Sequence, residues 1–364
     1  MKILFDIGHP AQFHLFKNTI NTLELNAHKI AVLTKTKDIL DNLLQEAGIK
    51  YVNILHKRRG SSKLGLAIGV LKRNYQLFIF ARKFRPELMI GTSMYISYIG
   101  KMLNIPTIHV NEDDAKIVPL YSKTAYPWAS VILSPVSCNN DKWENKSIKH
   151  KSFHELAYLH PNQFNPNRII AGKYIDINKP FFIIRFAKLD AYHDEGIKGI
   201  DICIAKKLIE ILNPFGTVYI TSERELESEL ESYRIKINPI DIHHVMAFAN
   251  IYIGDSQTMA AEAGVLGIPF IRFNDFVGRI GYLNELEEKY VLGYGIRPNN
   301  PELLFQKVEE LLQMKNRQMV FQDRRKKMLE DKIDFAKFLT WFIEGYPQSM
   351  DIMKNNPDYQ DRFK

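Results

Sequence analysis

The sequence predicts a tandem of two doubly wound α/β domains, and three observations predict it. Short apolar runs of 4 to 6 residues alternate with segments of helical periodicity, the pattern of parallel strands joined by right-handed βαβ crossovers. That alternation runs from the first residue to about residue 165, stops, and starts again near residue 181. Between the two series lies a stretch rich in Asn, Pro and Lys, from His160 to Pro180, which suits a connector better than a core element. A chain of 364 residues accommodates two such domains at roughly 100 to 200 residues each.

The first series opens with Lys2 to Ile7, an apolar strand ending at Gly8, followed by Leu15, Phe16, Ile20 and Leu23 at helical spacing. Ile30 to Thr34 reads as a strand, Ile39 to Ala47 as a helix opened by Asp38, Tyr51 to Ile54 as a strand, and a long basic helical stretch continues to Arg85. Leu88 to Gly91, Thr107 to Val110 and Val131 to Ser134 read as strands, with a helix at Met94 to Met102. The second series gives strands at Phe181 to Arg185, Val218 to Thr221, Ile251 to Gly254 and Pro269 to Arg272. Its helices fall at Gly199 to Leu212, Glu223 to Tyr233, His243 to Phe248 and Met259 to Leu266. A helix from Glu302 to Met314 and an amphipathic stretch from Arg317 to Phe342 follow. The polar tail, Gln348 to Lys364, reads as disordered. The expected domains are therefore 1–165 and 166–330, then a helical segment 331–346 and a disordered tail 347–364.

Hydrophobic residues make up 46%, charged residues 25% and aromatics 12%, a globular composition rather than a disordered or collagenous one. Forty-nine Lys and Arg against 41 Asp and Glu give a net charge of +8, which favours anionic partners such as nucleic acid, phosphorylated metabolites or an anionic membrane. Only Cys138 and Cys203 are present, so neither a disulfide framework nor a cysteine zinc site is expected, and a reducing cytosol fits. The start of the chain lacks the regions of a signal peptide. The longest apolar run, Leu64 to Leu71, falls far short of the roughly 20 residues that span a bilayer. A cytoplasmic protein with at most peripheral membrane contact is expected.

In open α/β sheets ligands bind beyond the carboxyl ends of the strands, and three such places stand out. After the first strand, Gly8 permits a tight turn and close backbone approach, and His14 is a candidate base or anion contact. After Phe181 to Arg185, one loop gathers Arg185, Lys188, Asp190, His193, Asp194 and Lys198, more titratable types than a surface loop needs. After Ile251 to Gly254 come Asp255, Ser256, Gln257 and Thr258 at the start of a helix. The free N–H groups and positive dipole end of that helix suit a pyrophosphate. Glu262, four residues beyond Thr258 on the same face, is placed to accept hydrogen bonds from a ribose diol. A merely N-capped buried helix accounts for the alanines there but not for a glutamate among them.

Three segments carry a resemblance: MKILFDIGHPAQFHLFK from Met1, RFAKLDAYHD from Arg185, and GDSQTMAAE from Gly254. Together they resemble the DUF354 family of prokaryotic GT-B-like proteins, over most of residues 1 to 345. The last block, extended to Pro269, looks like the nucleotide-sugar site of GT-B proteins, the group of the MurG-type glycosyltransferases and UDP-N-acetylglucosamine 2-epimerases. The resemblance implies two Rossmann-like domains with the nucleotide in the cleft between them, and a last helix, Phe335 to Phe342, returning to the first. It implies a nucleoside-diphosphate sugar held by Arg185, His193, Asp194, Asp255, Ser256, Gln257, Thr258 and Glu262, with Gly8 close by. The loop of His243 and His244 falls where the family touches the base, and His244 is taken as the contact.

The 2-epimerases resemble one another in a Gly-Asp-Thr after the fourth strand and a His-Val-Glu after the fifth. This chain has Gly91, Thr92 and Ser93 at the first place, and His109, Val110, Asn111, Glu112, Asp113 and Asp114 at the second. One acid–base partner is missing and the other is shifted. The expectation is therefore glycosyl transfer to a surface-glycan or lipid-linked acceptor, with His14, Glu112 and Asp113 as catalytic candidates and neither metal nor further cofactor. Two alternatives stay open: a nucleotide-sugar 2-epimerase, and a non-catalytic nucleotide-sugar-binding protein. Residues 56–85 carry nine Lys and Arg interleaved with apolar residues, either an ordinary core helix or a peripheral contact with an anionic membrane. No nucleic-acid motif accompanies that charge. His150 and His154 have i,i+4 spacing but no third ligand in sequence.

Overall fold

A computed structural model describes residues 1–36, 39–55, 63–187 and 199–364, the side chains of 63–68 excepted. Asp38, His193 and Asp194 lie outside the described residues. The chain divides into two compact units: unit 1 is Met1–Gln163 with Ile333–Lys364, and unit 2 is Phe164–Lys332.

Unit 1 holds seven strands: β1 (Lys2–Ile7), β2 (Lys29–Thr34), β3 (Tyr51–Asn53), β4 (Leu88–Gly91), β5 (Thr107–Val110), β6 (Val131–Pro135) and β7 (Ser147–His150). They form one sheet in the order β3-β2-β1-β4-β5-β6-β7, and every neighbouring pair is parallel. From Ile3 to Ile7 every residue of β1 is buried, as it must be when helices cover both faces of a parallel sheet. The order reverses between β1 and β4, so the chain leaves the carboxyl ends of these two strands towards opposite sides of the sheet, the place where open α/β sheets bind ligands. Asp6 pairs with Gly91 across that point.

Unit 2 repeats the plan with five strands: β8 (Phe181–Phe186), β9 (Thr217–Ser222), β10 (Ile251–Gly254), β11 (Phe270–Phe273) and β12 (Gly293–Ile296). The order is β12-β11-β10-β8-β9, again parallel throughout. Here the reversal lies between β8 and β10, where Arg185 pairs with Gly254. A Cβ on Gly254 would stand 2.6 Å from Tyr252 Oη and 2.9 Å from Arg185 Cβ, so this strand end admits only glycine without rearrangement.

Four expectations need correction. The tail is ordered: Gln348–Asn355 is a helix and Pro357–Phe363 a 3₁₀ turn. Tyr359 packs on Trp341 with ring centres 4.9 Å apart, and Phe363 lies against Phe338 and Trp341. Buried Gln360 accepts the Lys151 N–H at 2.7 Å. The segment is polar in composition, yet its few aromatics are what cover the helix Phe335–Glu344. Glu223 to Tyr233 is not a helix; only Ser228–Tyr233 forms a 3₁₀ turn. Glu223, Glu225, Glu227, Glu229 and Glu231 would repel one another at i,i+4 spacing, and Leu230 alone is buried there. The stretch Arg317 to Phe342 is two helices, Arg317–Asp331 in unit 2 and Phe335–Glu344 in unit 1. Lys332 is extended between them, and Asp334 caps the second helix by accepting the Lys337 N–H at 3.1 Å. Finally, β7, β12 and the helix Pro119–Ala125 were not expected.

Candidate functional site

Each unit presents residues at its own reversal point. In unit 2 the helix Gln257–Val265 starts directly after β10, with Ser256 as N-cap accepting the Met259 N–H. Its first turn carries no carboxylate, so its positive end is not neutralised from within the turn. Gln257 and Thr258 are half-buried at that end. The helix stops at Gly267, whose φ of +76° is left-handed and satisfies the last carbonyls at little steric cost.

Glu262, 5% exposed, faces a partner that sequence spacing did not single out: its Oε1 lies 3.0 Å from His243 Nε2. His243 is buried on the helix Ile242–Met246. His244, the neighbour expected to touch a base, instead accepts the Asn167 N–H at 3.1 Å and lies against the ring of Phe164. Adjacent residues on a helix point about 100° apart, so only one of the pair faces Glu262, and burial of the 243 side decides which.

Asp255 is also turned inward. It is 2% exposed, accepts the Ala187 N–H at 2.6 Å and accepts the Ile200 N–H as well. One carboxylate thus ties Ala187 to Ile200. Desolvation by burial raises its pKa to about 6, against the pull of those N–H groups and of Arg224. Asp255 was expected as a ligand contact; in this structure its oxygens hold the chain. Arg185 forms an ion pair with Glu223.

In unit 1 the N–H of Gly8 donates to Gln12 Oε1 at 2.6 Å, and Gln12 in turn donates to Thr92. Below this bridge, buried Asp6 pairs with buried Arg73 at 2.6 Å and accepts from Ser93. Arg73 stacks over the Tyr95 ring. The first strand end is thus crosslinked to the fourth by polar side chains. His14, 7% exposed, sits between the rings of Phe13 and Tyr158.

The acidic run after β5 is sorted by its partners. Glu112 Oε2 lies 3.3 Å from His154 Nδ1. Asp114 Oδ1 accepts the Asn139 N–H at 2.8 Å. The charge of Asp113 acts on Tyr121, Tyr126 and His154, and that of Asp114 on Tyr126 as well. Sequence reasoning missed the network beside it. Buried His109 contacts Ser97 Oγ at 2.6 Å through Nε2 and Tyr121 Oη at 2.7 Å through Nδ1. Desolvation pushes its pKa down to about 3, so it is a neutral imidazole with one donor and one acceptor. Burial raises the Tyr121 phenol, and Tyr126, Asp113 and Asp6 add to the rise, which makes Tyr121 a proton-bearing hydroxyl. The signal available in sequence was the i,i+4 pair Ser93 and Ser97 before His109, too weak to read without the fold. Among the described residues no three His, Cys, Asp or Glu side chains gather as a metal site requires.

No family model matches the chain, and no curated protein matches it. Solved structures do. The S. aureus protein MnaA with UDP aligns at a TM-score of 0.69 and 14% identity, over 96% of this chain and 97% of that one. The UDP-GlcNAc 2-epimerase of Neisseria meningitidis bound to UDP-GlcNAc aligns at 0.58 and 15%, over 91% and 99%. A Streptomyces glycosyltransferase complexed with thymidine diphosphate aligns at 0.58 and 12%, over 93% and 99%. With two parallel α/β units of seven and five strands, the chain has the GT-B fold of two Rossmann-like domains.

Proposed function

We propose that this chain is a nucleotide-sugar-dependent glycosyltransferase that binds a nucleoside-diphosphate sugar on unit 2 and transfers the sugar to a surface-glycan or lipid-linked acceptor. The observation that carries the reading is the helix Gln257–Val265, with an acid-free first turn and the buried Glu262–His243 pair one turn further along. Its terminal N–H groups are suited to the diphosphate, and its positive end to the charge that develops there as the bond to the sugar breaks. Glu262 is suited to accept from two ribose hydroxyls, with His243 fixing its rotamer. A side-chain base, the carboxylate of Asp113 first and that of Glu112 or the imidazole of His14 next, takes the acceptor hydroxyl proton. The acceptor oxygen bonds to the anomeric carbon as the nucleoside diphosphate leaves. The neighbours' UDP, UDP-GlcNAc and thymidine diphosphate support a nucleoside diphosphate as the ligand.

One observation favours a second reading, 2-epimerisation of the donor. Asp6 sets a carboxylate against Ser93, at the strand end where the 2-epimerases carry an aspartate. Its ion pair with buried Arg73 occupies that carboxylate and keeps transfer ahead.

The test is incubation with UDP-, GDP- and CMP-sugars followed by NMR, with and without lipid-linked acceptors. Acceptor-dependent release of nucleoside diphosphate supports transfer. An epimerised sugar formed without acceptor establishes the second reading instead, and binding without any turnover establishes a non-catalytic protein. Glu262→Ala is expected to weaken UDP binding about tenfold or more, the worth of one to two charge-assisted hydrogen bonds; undiminished affinity in calorimetry removes the site assignment.

A further inference from the structure

The helix Lys63–Phe84 of unit 1 carries more apolar surface than the core uses. At about 100° per residue, Leu71, Arg82, Tyr75, Ile79, Lys72 and Lys83 fall in that order within an arc of roughly 120°. Leu71 is 69% exposed, Tyr75 62% and Ile79 44%, and the three cations are exposed as well. The opposite arc is the one that meets the sheet: Arg73, Leu77 and Ala81 are all buried, the last two in one cluster with Leu4, Leu33 and Met89. The helix therefore has two apolar faces, and only one of them is spent on folding. Single exposed apolar residues need no explanation, but three in line on one helix face do.

We infer that this outer face is a docking surface for an anionic lipid bilayer, with the helix lying in the plane of the headgroups. Charge complementarity selects that occupant. No Asp or Glu occurs between residues 63 and 86, and the chain as a whole carries +8. Leu71 and Ile79 supply the apolar insertion, Tyr75 an amphipathic ring suited to the headgroup level, and Lys72, Arg82 and Lys83 long stems that place their charge at phosphate depth. A second copy of the chain is the less suitable occupant. A two-fold contact would set these same cations against themselves, with no carboxylate on the helix to relieve them. The inference stands on this helix alone and does not depend on the activity proposed above.

Co-sedimentation of the full chain with vesicles tests it. Binding is expected to vesicles of phosphatidylcholine mixed with phosphatidylglycerol, to fall as salt rises, and to be weak on phosphatidylcholine alone. Lys72→Gln with Lys83→Gln is expected to lower the partition coefficient roughly 30-fold, at about fivefold per surface cation. Leu71→Gln with Ile79→Gln is expected to lower it on both vesicle types. All four positions are exposed, so circular dichroism should be unchanged. Absence of binding by the wild-type chain, or equal partitioning of either double variant, overturns the inference. So does a wild-type dimer in light scattering that the Leu71 and Ile79 changes dissociate, which would assign the face to a second copy.

Discussion

Acidification should destabilise unit 1 through His109, and the size of the effect follows from the side chain's surroundings. His109 is fully buried between Ser97 and Tyr121, both within hydrogen-bond distance. Burial lowers its pKa from 6.5 to about 3. In the unfolded chain the ring takes up a proton near pH 6.5, whereas in the folded unit it does not. The unfolded state thus binds more protons between these values, and stability is lost as pH falls through that window. At about 1.4 kcal/mol per pH unit, the step from pH 6.5 to 5 costs about 2 kcal/mol, and the whole shift corresponds to about 5 kcal/mol. His154, buried and also lowered to about 3, adds a loss of the same sign. All three tryptophans, Trp128, Trp143 and Trp341, belong to unit 1, so urea denaturation followed by tryptophan fluorescence reports this unit. His109→Gln cannot titrate, and its stability should fall less steeply with acid, by about one proton's worth of slope. It should also start lower by about 1–3 kcal/mol, since one of two buried hydroxyls loses its partner. A variant with the wild-type slope between pH 5 and 6.5 would show that His109 does not drive the acid loss, as would a His109 ring that titrates near 6.5 by NMR.

Asp255 should act in the opposite sense in unit 2. Its folded pKa is raised from 3.8 to about 6, so the stability it contributes is present at low pH and lost as pH rises through that interval. The loss amounts to about 3 kcal/mol; Asp255→Asn should flatten it, as read by hydrogen exchange of unit-2 peptides across pH 4 to 7. Deleting residues 348–364 should destabilise unit 1 by at least about 3 kcal/mol and red-shift the emission of Trp341, because Tyr359 and Phe363 leave its ring. A truncated chain with unchanged stability and emission would show that the tail packing contributes nothing.

The central strands were legible because a parallel strand covered on both faces must be largely apolar, as β4 and β10 are throughout and as β1 and β8 are apart from Lys2, Asp6 and Arg185. The missed strands are both at sheet edges. β7, Ser-Ile-Lys-His, alternates in burial and follows a run of Asn, Asp and Lys, while β12, Gly-Tyr-Gly-Ile, is half glycine. An edge strand is held by one ladder and one neighbour, so its composition is less constrained. The helix start at Ser256 was legible for a local reason, since a cap and the first turn lie within four residues of sequence.

Readable along the chain, therefore, are the class of the two sheets, the place where each chain segment ends at a strand's carboxyl end, and the helix at Gln257–Val265. Which polar side chain meets which is set by packing in three dimensions. Glu262 meets His243 rather than His244, Asp255 holds Ala187 and Ile200, and His109 links Ser97 to Tyr121. Packing also decided that Tyr359 and Phe363 fold a polar tail onto unit 1. Hydrophobic periodicity is a property of one segment and can be read along the chain. The partner of a buried polar group is fixed by the packing of segments that sequence separates, where each unpaired atom would cost about 1–3 kcal/mol.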